Sequence, residues 1–166
     1  MKNRFVYFSI RFVTLVLAGL FMLLLRAAAE NPLCAVLTPR FASPWELSKL
    51  AFWPLLLALL IPLRDDGKFR AKLAWPVLVP LAAVLVFWML SPLRPGAGVY
   101  LMIWLVLGAA GLVLAQRGVL AKGDRAVWLV LAAAMAVLYV ALTFLPPMLG
   151  PFLDPSDVAA MATIPC

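Results

Sequence analysis

Ser43-Pro44-Trp45-Glu46-Leu47-Ser48-Lys49-Leu50-Ala51-Phe52-Trp53-Pro54, continued by Leu55-Leu56-Leu57-Ala58-Leu59-Leu60-Ile61-Pro62-Leu63, decides the fold. From Pro44 to Leu63 only Glu46, Ser48 and Lys49 are polar. An apolar run of about 17–25 residues crosses the ~30 Å hydrocarbon core of a bilayer as a helix. The run lacks the polar–apolar alternation of a barrel strand. Its start is a complete helix entry: Ser43 can cap, Pro44 suits the first helical position, and Glu46 stands where a capping box needs it.

Four more runs of the same kind flank it, at Phe5–Arg26, Ala71–Leu90, Val99–Ala115 and Ala126–Leu145. Helices are the element that satisfies its own backbone in lipid. The expected fold is all-α: an integral membrane five-helix bundle, with residues 1–166 as a single transmembrane domain. The first run has a rival reading as a signal peptide, since Ala27-Ala28-Ala29 resembles a cleavage site. Arg26 stands between the apolar run and that site, which favours a retained helix.

Composition agrees. Hydrophobic residues make up 66% of the 166 and charged residues 13%, against ~45–50% and ~25% in soluble domains. Histidine is absent. That excludes Ser–His–Asp and Cys–His nucleophiles and zincin motifs. No phosphate loop or metal-ligand spacing occurs, and no cofactor is expected. The net charge of +7 reads as topology and gives no nucleic-acid partner. Lys2, Arg4 and Arg11, then Arg64, Lys68, Arg70 and Lys72, then Arg117, Lys122 and Arg125 fall on one side. Arg26, Arg40, Lys49 and Arg94 fall on the other. The positive-inside rule then puts the N-terminus in the cytoplasm and the C-terminus outside.

The outer side carries the candidate chemistry. Trp45, Lys49 and Trp53 are four apart and share a helix face, and Glu46 lies three residues before Lys49. A lysine inside an apolar helix needs a partner, a watery cavity or a route to the interface. Two readings stand. Either Glu46 pairs with Lys49, with the indoles as cation–π walls, or Glu46 only closes the cap while Lys49 snorkels. The candidate ligand-binding residues are Trp45, Glu46, Lys49 and Trp53, with Asn31 and Arg40 from the loop before them and Asp154 from the tail. Residues 146–166 are too apolar for a free tail and are expected to pack on the outer face.

Other features are weaker signals. Pro54, Pro62, Pro76 and Pro80 interrupt helices and free carbonyls. Thr14, Tyr139 and Thr143 are the main polar candidates for the interior. Gly108-Ala109-Ala110-Gly111 permits close helix contact. Cys34 and Cys166 both fall outside, where a disulfide can form, or both stay free.

Two stretches resemble a family of uncharacterised bacterial integral membrane proteins. The first is Asn31-Pro32-Leu33, Thr38-Pro39, Ser43-Pro44-Trp45-Glu46, Lys49-Leu50 and Phe52-Trp53-Pro54. The second is Thr143-Phe144-Leu145-Pro146-Pro147 with Phe152 and Asp154-Pro155. In the family pattern a histidine follows the Trp-Glu pair; here Leu47 stands there. The resemblance implies a bacterial cytoplasmic membrane and a Trp-Glu motif grouped with the Pro-Pro tail.

Three function classes remain. The first is a protein that binds or carries a small amphiphile or lipid at its outer mouth. The second is a structural or assembly subunit packing against membrane-protein partners. The third, ranked last because no nucleophile stands beside Glu46, is an interfacial enzyme using Glu46 as acid or base.

Overall fold

A computed structural model of the protein describes residues 2–28, 31–39, 43–61, 72–93, 96–119, 125–145, 147 and 150–152. Among these residues the structure is all-helical. It comprises α1 (Lys2–Ala28), α2 (Pro32–Leu37), α3 (Pro44–Leu60), α4 (Trp75–Leu90), α5 (Ala97–Arg117) and α6 (Arg125–Phe144). Single 3₁₀ turns follow α4 at Ser91–Leu93 and the last helix at Gly150–Phe152.

Four helical stretches are long and apolar enough to cross a membrane: Phe5–Ala27, Trp75–Leu93, Ala97–Arg117 and Ala126–Phe144. The chain is a multi-pass membrane protein. The stretch expected to supply another span, α3, has 17 helical residues. At 1.5 Å per residue that is about 25 Å, short of the ~30 Å hydrocarbon core.

What α3 lacks in length it makes up in burial. Trp45, Leu50, Phe52, Leu55 and Leu59 point in several directions and are all buried. A helix apolar all round belongs in a core. It packs most extensively on α4 and α1, and then on α5. The peripheral helices bury one face only. In α1, Arg11, Leu15 and Met22 point inward, whereas Val13, Leu17, Leu20 and Leu24 are exposed. In α6, Ala132, Met135 and Tyr139 are buried while Val130, Val137 and Leu138 are exposed. Apolar faces of this extent suit lipid rather than water.

Proline and glycine mark local detail. Pro54 lies inside α3 and Pro80 inside α4. Pro76 does not interrupt a helix: it sits in the first turn of α4, where its missing N–H has no intrahelical acceptor to lose. Pro62 lies outside the described residues. Gly118 ends α5 in the left-handed region at φ 70°, and Val119 closes that end by donating to the Leu114 carbonyl. Gly108 and Gly111, read as a stripe for helix contact, are buried within this chain against Leu15 and Val79.

Gly19 is where a missing side chain matters most. A Cβ there would stand 2.4 Å from the Trp104 ring. That ring has little freedom to retreat, because its Nε1 donates to the Leu50 carbonyl at 2.5 Å. Gly19→Ala is therefore expected to lower stability by about 1–3 kcal/mol, the cost of overpacking a core. Gly98→Ala, with nothing within 4 Å of the added carbon, is the control. Thermal unfolding in detergent should show a drop for the first and none for the second.

Candidate functional site

The site grows from the entry to α3. Ser43 is extended (φ −67°, ψ 146°) and its hydroxyl accepts from the Glu46 N–H at 3.3 Å. This half of the expected capping box fixes the first turn. The Glu46 carboxylate, at the positive end of the helix dipole, meets Lys49 one turn on. Lys49 Nζ lies 2.6 Å from Oε1 and 2.8 Å from Oε2.

Lys49 is fully buried, so it points inward and does not snorkel. Its ammonium donates to the Ala35 carbonyl of α2 at 3.0 Å. It also donates to Thr143 Oγ1 of α6 at 2.7 Å. Thr143 in turn donates to the Tyr139 carbonyl on its own helix. One cation thus joins three helices. An ion taken out of water costs several kcal/mol unless a counter-ion and further hydrogen bonds take it up, and here both are present.

An aromatic cluster lies on the same helices. The Tyr139 hydroxyl and Ser48 Oγ are 2.6 Å apart, and Ser48 donates to the Trp45 carbonyl at 2.6 Å. The Trp45 ring lies 4.8 Å from that of Tyr139 and 5.2 Å from Phe152 of the tail. Phe52 packs against both Tyr139 and Trp53. The structure thus brings together Trp45, Glu46 and Lys49, with Trp53 one layer deeper against Phe52.

The remaining candidates fall elsewhere. Asn31 caps α2, its Oδ1 accepting from the Leu33 N–H at 3.0 Å. Arg40 and Asp154 lie outside the described residues, as does Cys166; Cys34 is a half-buried thiol in α2. The Thr14 hydroxyl returns to the Ile10 carbonyl of its own helix. Among the described residues no three of His, Cys, Asp and Glu gather as a metal site.

The opposite face of α3 builds a different feature. Pro54 has no N–H, so the Leu50 carbonyl four residues earlier loses its helical donor. The Trp104 indole N–H of α5 takes that place. Beside this contact runs an apolar groove of about 320 Å³, walled by Leu23, Leu47, Leu50, Phe87, Leu101 and Trp104. Arg26 from the last turn of α1 and Tyr100 from the first turn of α5 bring its polar atoms. These segments all lie at the Glu46 end of the bundle. Sequence reading did not find this groove. The one available signal was Pro54, whose freed carbonyl called for a donor from another helix.

Comparison with known proteins adds no relative: no protein family, curated protein or solved structure matches the chain.

Two double-mutant cycles test this geometry. Glu46→Gln alone leaves a buried cation without its counter-ion, and should cost about 3–5 kcal/mol. Adding Lys49→Met should restore at least half of the loss in detergent melts, whereas additive losses would show that the two side chains are not coupled. Trp104→Phe should cost about 1–3 kcal/mol by orphaning the Leu50 carbonyl. In a Pro54→Ala background, where residue 54 again donates to Leu50, the same change should cost clearly less.

Proposed function

We propose that the protein binds or carries a small amphiphile or lipid at the extracytoplasmic mouth of a five-helix bundle. In this reading α3 is the central fifth span, the N-terminus is cytoplasmic and the membrane is the bacterial cytoplasmic one. Charge supports the orientation: ten of the 14 Lys and Arg residues fall on the side of the N-terminus. That puts the Glu46 end outside.

The observation that carries the function is the groove beside Leu50 and Trp104. Its volume is at the lower end of the ~300–1,000 Å³ typical of ligand pockets, and like them it is mostly apolar with few polar groups. The Glu46–Lys49 pair supports it from the other face of α3. With its carboxylate engaged by Lys49 and its surroundings buried, Glu46 serves as a brace for the groove wall rather than as an acid or base.

Native mass spectrometry of the protein, released gently from its own membrane, tests the proposal. A discrete added mass of amphiphile size is expected on the wild type. Leu101→Trp, which fills the groove, should remove it while leaving the helical content unchanged. A bare wild-type chain would overturn the reading. A chain held by another membrane protein would instead favour an assembly subunit.

A further inference from the structure

We propose that the groove selects a single-chain anionic amphiphile, a long-chain carboxylate, with its head at the Arg26 guanidinium. This rests on the amphiphile reading and adds the class of ligand. The first argument is about what lipid surroundings remove. Lipid tails are as apolar as leucine, so an alkyl chain gains little by leaving the bilayer for Leu23, Leu50 and Leu101. Selection must therefore come from shape and from the head.

Shape limits the number of chains. A groove of about 320 Å³ stands at the lower end of the ~300–1,000 Å³ typical of ligand pockets. That size suits one alkyl chain better than the two of a diacyl lipid.

The head is set by what the lining offers. Arg26 is exposed and, among the described lining residues, supplies the cation, with no carboxylate beside it there. Its place in the last turn of α1 puts the charge at the membrane surface, where a long cationic side chain reaches the head-group layer. A guanidinium is a planar fork that matches a carboxylate bidentately. Among the described lining residues, Tyr100 and Trp104 carry the other polar side-chain groups, and the Trp104 N–H is engaged by the Leu50 carbonyl. A neutral head would leave the guanidinium without its match.

The test uses the full chain in phosphatidylcholine nanodiscs, with 12-bromododecanoate as a quencher of tryptophan fluorescence. Trp104 lines the groove, so the bound bromine should quench it, and Trp104→Phe should remove most of that quenching. Unlabelled dodecanoate should displace the probe at least tenfold better than dodecanol or lysophosphatidylglycerol. Arg26→Gln should abolish that preference, Arg26→Lys should keep part of it, and both variants should melt with the wild type because Arg26 is exposed. Leu101→Trp should abolish binding of every species. Equal competition by dodecanol, or an unchanged preference in Arg26→Gln, would overturn the carboxylate assignment while the amphiphile reading stands. Tighter binding of lysophosphatidylglycerol would overturn it in favour of a larger anionic head. Failure of every single-chain species to displace or quench would overturn both readings.

Discussion

A lysine ammonium with no exposed surface, enclosed in a protein that faces lipid, leaves its surroundings few choices. Lys49 is accommodated because Glu46 lies 2.6 Å away and because Ala35 and Thr143 accept hydrogen bonds from its Nζ. Those acceptors come from helices on either side of α3 in the chain. The requirement to satisfy one cation therefore dictates where α2 and the end of α6 must lie. This matters most for α6, whose main packing partners are α4 and α2 and whose outer face is exposed apolar surface. Apolar contact does little to choose one helix position over another when the alternative solvent is hydrocarbon. A hydrogen bond to a buried charge does choose, since missing it strands the charge.

The other face of α3 obeys the same logic with a neutral group. Pro54 withholds a donor from the Leu50 carbonyl, and the carbonyl finds Trp104. Trp104 can approach because Gly19 leaves room for its ring. A proline on one helix, a tryptophan on a second and a glycine on a third are thus parts of one constraint. Its product is the wall of the groove. Had residue 54 carried an N–H, the carbonyl would have been satisfied within α3, and nothing would fix the indole at that depth.

These couplings explain which features could be read from the chain. The apolar runs, the Ser43–Pro44 helix entry and the three-residue spacing of Glu46 and Lys49 are local, so they were legible. Span length was less so. The run from Pro44 to Leu63 reads as a full crossing, yet its helix ends at Leu60. Pro76 reads as a break by residue type, but four residues before Pro80 it begins its helix. The partners of Lys49 were beyond reach, because Ala35 offers only a backbone carbonyl and Thr143 lies 94 residues away. The groove was hidden for a different reason. Leu47, Leu50 and Leu101 are ordinary residues in a chain that is two-thirds hydrophobic, and only their placement makes a cavity.

The two faces of α3 carry the buried ion pair and the groove, and the division bears on why a charge sits in this helix at all. Replacing a buried ion pair by packed hydrophobic residues is often neutral or stabilising, so stability alone does not account for Glu46 and Lys49. What an apolar substitute cannot supply is direction. A methionine at position 49 would accept many neighbours, whereas an ammonium with a carboxylate on its own helix accepts only those that bring oxygens to fixed points. That fixes the rotation of α3 about its axis. The rotation in turn decides whether Leu47 and Leu50 face α1 and α5, and so whether the groove exists. In this bundle the polar pair is a registration device, and a groove assembled from otherwise interchangeable apolar side chains depends on it.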